Sequence, residues 1–317
     1  MQKASPLLIL LICMVPPCRA VNDSLYFLFQ RSTYLENLTM PGAWWANPAS
    51  IAEINKKTAL TATVAPLGYT YTIASVMYAS PVTARFGWGI GILGAGINPN
   101  PDGSLQADNS GAHYKSRVTF SNPSIQLGAA AKDARDVCIG LLGDFGLEQL
   151  PDGQGGQANF AAMGIGLGVM TPYLFNHLSL AVSLMSTGHF WVQSYWDHDG
   201  KAGVRFKLPD SSIIGSLEYT FSLASGAIKY IYNAPANYYQ VVKGLASIKV
   251  LSIAGVLAGF SDDLGILSEN GAMIHLGAEL RKSTIYPFFG GYEIGVSTSK
   301  RTRDLIIHRF WLGYCFR

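Results

Sequence analysis

The chain has 317 residues and a formal net charge of +3, with 14% charged residues against 49% hydrophobic and 12% aromatic. Soluble chains carry about a quarter charged residues, and so slight a basic excess makes no nucleic-acid surface; a soluble globule and a nucleic-acid partner are both disfavoured. Glycine is abundant, at 34 residues, which together with the apolar content suits strands that face lipid.

Lys3, the apolar run Leu7–Val15 and Pro16-Pro17-Cys18-Arg19-Ala20 predict a signal peptide over residues 1–20, cleaved after Ala20. Leu7–Val15 is far short of the about 20 residues that span a bilayer. Acylation of Cys18 is the alternative, and Pro16-Pro17 make a poor approach to it. Export leaves Cys138 and Cys315, which either form one disulfide or pack separately as small apolar residues.

Residues 21–56 lack a clear period. An aromatic knot (Tyr26, Phe27 and Phe29) is followed by Met40–Asn55, which carries Trp44-Trp45 and Asn47-Pro48-Ala49-Ser50. Ser50–Asn55 can form one helical turn, but a long helix is unfavourable so close to Pro48. This stretch is expected to sit as a plug in or against the mouth of whatever residues 57–317 build.

From Thr58 the period is two. Met163, Ile165, Leu167 and Val169 alternate with Gly164, Gly166 and Gly168. Leu217, Tyr219 and Phe221 alternate with Ser216, Glu218 and Thr220, and Ile274, Leu276, Ala278 and Leu280 alternate with His275, Gly277, Glu279 and Arg281. Such runs are strands with one apolar face and one small or polar face. Turn clusters stand at 98–103, 151–156, 197–200 (Asp197-His198-Asp199-Gly200) and 268–271. In Arg85–Ile97 the apolar set slips by one residue, which predicts a bulge or kink at Ile92-Leu93. Asn122-Pro123 interrupts the next run, as a wall break or a loop tip. Val241–Phe260 is long enough to suggest a helix, but Lys243 and Lys249 interrupt it and a strand pair fits its neighbours better.

At about ten residues per strand plus connections, the predicted fold is an all-β transmembrane antiparallel β-barrel of about 14 strands with an N-terminal plug. Hydrocarbon offers backbone groups no water, so a spanning sheet must close on itself. Export with strands of this kind implies the bacterial outer membrane. Aromatics near strand ends, Trp88, Trp191, Trp196, Tyr286 and Trp311 among them, are expected at the interfaces. In the last strand Ile306, Phe310, Leu312, Tyr314 and Phe316 share a face, a pattern that resembles the C-terminal strand by which outer-membrane barrels are recognised for insertion.

No cofactor, metal or catalytic site is predicted. Gly89-Ile90-Gly91-Ile92-Leu93-Gly94 fits a dinucleotide fingerprint only in spacing, since it lies within a strand. Asp197-His198-Asp199-Gly200 lacks the later ligands of a calcium loop and is read as a surface turn. His275 with Glu279 is the tempting acid–base pair, read as lumenal polar residues that brace the wall.

Gly42-Ala43-Trp44-Trp45-Ala46-Asn47-Pro48-Ala49-Ser50-Ile51-Ala52 resembles the N-terminal signature of the long-chain fatty-acid transporter family of outer-membrane proteins, the FadL/TodX type. The likeness covers about a dozen residues and the general layout of signal, N-terminal segment, strands and aromatic C-terminus. It implies a 14-stranded barrel plugged by its N-terminal segment, with hydrophobic molecules leaving through a side opening. It also implies Asn47, Pro48 and Ala49 as plug residues. Trp44, Trp45 and the Tyr26–Phe29 cluster are then expected to touch ligand or the barrel interior. Leu93, Gly94, Asn122 and Pro123 are the expected sites of a kink in the wall. The expected partners are membrane lipids and hydrophobic or amphipathic small molecules, taken up passively. Two other readings stay open: a scaffold barrel with a secretion or assembly partner, and a general porin.

Overall fold

The computed structural model describes residues 44, 47–54, 59–67, 71–97, 124–151, 157–190, 194–224, 237–263, 272–281, 287–298 and 306–316. The predicted signal peptide, Tyr26, Phe27, Phe29, Trp45, Asn122 and Pro123 lie outside them.

Fourteen strands follow in chain order: β1 (Ala59–Leu67), β2 (Tyr71–Pro81), β3 (Phe86–Ile97), β4 (Ser124–Lys132), β5 (Cys138–Pro151), β6 (Gln157–Met170) and β7 (Leu178–Phe190). The second half comprises β8 (Ser194–Lys207), β9 (Ile213–Ala224), β10 (Asn237–Lys249), β11 (Ala254–Asp263), β12 (Ala272–Leu280), β13 (Phe288–Ser297) and β14 (Ile306–Cys315). Each pairs antiparallel with its neighbours in sequence, and β1 pairs with β14 from Ala59↔Cys315 to Leu67↔Ile307, so the sheet is a closed barrel. Strands of nine to fourteen residues reach about 30–46 Å at about 3.3 Å per residue, enough to cross hydrocarbon at a tilt. No helix among the described residues is long and apolar enough to cross a membrane.

The wall carries apolar side chains outward. Leu141 is 59% exposed, Ile165 67% and Leu312 59%, while the residues between them point inward and are buried, Leu142, Gly166 and Trp311 among them. A water-soluble protein would leave this belt uncovered; lipid covers it at no cost. The connections 82–85, 133–137, 171–177, 208–212 and 250–253 all lie at the barrel end that holds the C-terminus of β14. Asp133 stabilises one of them by accepting from the backbone N–H groups of Arg135 and Val137, at 2.7 and 2.9 Å.

Five expectations need correction or resolution. No bulge falls at Leu93 and Gly94, because β3 keeps continuous register with β2 from Pro81↔Gly87 to Tyr71↔Ile97, while its described pairing with β4 ends at Leu93↔Ser124. The slip in its apolar pattern is a change in which alternate positions are apolar, with no residue inserted; a register shift occurs instead between Asn237 and Tyr239 of β10. Asp197-His198-Asp199-Gly200 is part of β8, paired with both β7 and β9. Three polar residues followed by a glycine imitate the composition of a turn. Trp311 points inward and is 4% exposed, so it is no interfacial anchor. Cys138 and Cys315 are separate buried thiols. Val241–Phe260 is the hairpin β10–β11.

Candidate functional site: the plug and its seat

Residues Pro48–Glu53 form a 3-10 segment inside the barrel, packed on the inner faces of β2 to β6. The local sequence explains the turn. Asn47 has extended backbone and its Oδ1 accepts from the Ala49 N–H at 3.0 Å, while Pro48 supplies a preset φ at the first position. Asn47, Pro48, Ala49, Ser50, Ile51 and Ala52 are all buried.

Glycines make the seat. The inward positions of β3 to β6 carry Gly87, Gly89, Gly128, Gly140 and Gly168. A Cβ on Gly89 would lie 2.5 Å from Nε1 of Trp44, and one on Gly128 would lie 2.7 Å from both the Trp44 ring and Ile51 Cδ1. A Cβ on Gly140 would overlap the Pro48–Ala49 peptide, and one on Gly168 the Asn47 side chain. The bare backbone of four adjacent strands thus forms a trough, in which β3 and β4 receive the wholly buried Trp44 and β5 and β6 receive Asn47–Ala49. Around it lie Met77, Ala79, Ala130, Leu142, Met170 and Ala181, so the trough is apolar.

Three side-chain contacts tie the plug to the wall. Trp44 Nε1 donates to the Tyr78 carbonyl of β2 at 3.1 Å, and Asn47 Nδ2 donates to the Val182 carbonyl of β7 at 3.4 Å. Arg205 of β8 donates from Nη1 and Nη2 to the two oxygens of Glu53, each at 2.7 Å. The fork geometry makes this a strong, directional pair. Arg205 is fully buried, and Ser179 accepts from its Nη2 at 2.8 Å. The Tyr173 ring lies under Arg205 and Lys207, at 5.0 and 4.1 Å from its centroid. Burial pushes the Tyr173 phenol above its ordinary range.

The inner face of β8 to β14 mixes polar groups with buried apolar ones, Leu245, Leu257, Phe289 and Trp311 among them. Lys243 stands across the ladder from Glu218, and Glu293 from Arg309, with all four buried. Glu279 accepts from Ser247 Oγ across Gly255, and from Arg281 Nε at 3.1 Å. His275 does not pair with Glu279. Its two ring nitrogens face Ser261 Oγ at 2.8 Å and Glu293 Oε1 at 3.0 Å.

Of the residues singled out in the sequence, Trp44, Asn47, Pro48 and Ala49 come together at the trough, whereas Leu93 and Gly94 belong to an unbroken strand. Glu53, Arg205, Ser261 and Glu293 were missed. For the three strand residues among them, inward-parity polar positions recurring on successive strands are the signal that would have found them; Glu53, in the 3-10 segment, carries no such signal.

No protein-family model and no curated protein matches the sequence. The fold resembles the toluene transporter TodX of Pseudomonas putida with a TM-score of 0.57 and 10% identity, over 87% of this chain and 94% of that one. It also resembles the toluene transporter TbuX of Ralstonia pickettii (TM-score 0.55, 11% identity, 88% and 94% covered). A FadL homologue of Pseudomonas aeruginosa superposes with a TM-score of 0.51 at 12% identity, over 86% and 93%. These likenesses place the chain in the FadL/TodX-like fold and leave its activity to be argued from its own residues.

Proposed function

We propose that this barrel resides in the bacterial outer membrane and lets hydrophobic or amphipathic small molecules diffuse inward, with residues 44–54 as the movable part of a plug. The observation that carries the reading is the chemistry of the seat. The wall ladder closes through fourteen strands without any plug residue, so the plug can shift while the barrel stays shut. What it uncovers is the apolar trough of Met77, Ala130, Leu142 and Met170, a surface that welcomes hydrocarbon and repels ions. The named functions of the structural neighbours, toluene transport among them, agree with that direction.

A general porin is the weaker reading. Its lumen needs charge open to water, and here Arg205, Glu218, Lys243, Glu293 and Arg309 are buried. Native mass spectrometry of the detergent-purified barrel, with an environment-sensitive hydrophobic dye as displacement probe, tests the proposal. Co-purifying lipid-like molecules and dye displacement by toluene or a fatty acid are expected. A ligand-free barrel that ignores the dye and holds a stable protein partner would replace the proposal with the scaffold reading.

A further inference from the structure

Across the barrel from the plug, Ser261 of β11, His275 of β12 and Glu293 of β13 lie on one inward diagonal. His275 stands opposite Gly259 and Gly295, and Glu293 opposite Gly277 and Arg309, so each polar side chain reaches past a glycine to its neighbour on the next strand. Ser261 Oγ is 2.8 Å from His275 Nε2, and His275 Nδ1 is 3.0 Å from Glu293 Oε1. Arg309 Nη1 donates to the same Oε1 at 3.3 Å.

The chemistry of the donors fixes their roles. A carboxylate held beside a guanidinium only accepts, so the proton of the neutral imidazole sits on Nδ1. Nε2 is left with its lone pair toward the Ser261 hydroxyl. That is the arrangement of nucleophile, general base and orienting carboxylate, recognised by geometry and not by sequence order. Passage of a hydrophobic compound needs no such relay.

We infer that Ser261 is an activated nucleophile and that carboxylic esters entering the lumen are its substrates. Val241, Leu245, Leu257 and Met273 are buried on the neighbouring inward positions and offer an acyl chain an apolar surface. Lys243 stands directly across the ladder from Ser261, the nearest cation in register to meet negative charge on the carbonyl oxygen. The Ser261 oxygen bonds to the carbonyl carbon as its proton passes to His275 Nε2. Collapse of the tetrahedral adduct breaks the ester C–O bond, and His275 returns the proton to the departing alcohol. Water then attacks the acyl-serine through the same base, releasing the carboxylic acid and restoring the hydroxyl. Ser261 is wholly buried, so the inference rests on the uptake reading for access.

The test is labelling of the folded barrel, in micelles, with an alkyl fluorophosphonate, read by intact mass and peptide mapping. Hydrolysis of 4-nitrophenyl butanoate is followed alongside, and heat-modifiable gel migration confirms folding. The wild type gains one adduct, on Ser261, and hydrolyses the ester. Ser261→Ala loses both, and His275→Gln lowers the labelling rate at least about 100-fold. Glu293→Gln, acting through His275, lowers it less and moves its pH profile. A folded wild type that takes no adduct overturns the inference and makes the diagonal a brace. If the hydrophobic dye still binds, uptake stands without it; if the dye also fails to bind, both fall.

Discussion

Replacing Trp44 with alanine removes the side chain that fills the glycine trough. Trp44 is wholly buried and donates to Tyr78 O; truncating a buried tryptophan costs about 3–5 kcal/mol, with the lost hydrogen bond included. The barrel ladder does not pass through Trp44, so the cost falls on docking of the plug. At about 1.4 kcal/mol per tenfold, the released population rises by between about 100-fold and about 4,000-fold. Cys138 is a native reporter, because it is buried in the cluster that contains Trp44, Ala49 and Ile51. Cys315 is the internal control, buried apart from it with Phe289 and Trp311. When opening and closing outpace the reaction, labelling by a small methanethiosulfonate reagent tracks the open population. Trp44→Ala is expected to speed labelling of Cys138 by that factor, up to saturation, and to leave Cys315 unchanged. Equal Cys138 rates in both proteins, or a parallel rise at Cys315, would refute the account of the trough.

The same reporter separates two glycines three residues apart on β5. Gly140→Ala places a methyl against the Pro48–Ala49 peptide and is expected to expose Cys138, whereas Gly143→Ala meets the Phe145 ring at 3.2 Å and the Leu127 carbonyl at 4.0 Å, away from the plug, and leaves it protected. Glu53→Gln strips the partner from buried Arg205 and is expected to weaken docking by about 3 kcal/mol; a double-mutant cycle with Arg205→Gln should return a coupling of similar size. Tyr173→Phe keeps the ring beneath Arg205 and Lys207 while deleting a buried hydroxyl with no hydrogen-bond partner among the described residues. Stability at pH 7 should therefore change by less than about 0.5 kcal/mol or rise. Because burial raises the Tyr173 pKa, the folded turn keeps its proton where the unfolded chain loses it. Protection of residues 171–177 from hydrogen exchange thus falls as pH climbs above about 10, a loss the phenylalanine variant should lack.

Strand parity carried most of the fold. Over Met163–Val169 of β6 and Ile274–Leu280 of β12 the outward set is apolar and the inward set glycine or polar, so the wall could be read from alternation alone. Parity failed where the inside of a barrel departs from a simple polar face. β8 carries Lys201 and Arg205 inward and His198 outward, where it bonds Ser186 at 2.8 Å; a strand this charged looks like a turn when its neighbours are unknown. The inward glycines were legible as small residues, but their purpose was not, since only docking of Trp44 shows what they make room for. Ser261, His275 and Glu293 are separated by 14 and 18 residues. Their meeting depends on the register of two hairpins, which the sequence leaves unfixed.

Flux of a hydrophobic compound compared with ion conductance, in the same bilayers containing the purified barrel, tests the central claim most directly. The account predicts that toluene or a fatty acid crosses faster than in protein-free bilayers, with no steady ion current, and that Trp44→Ala alters the rate. A steady ion current without hydrocarbon flux, or no flux of either kind, would contradict it.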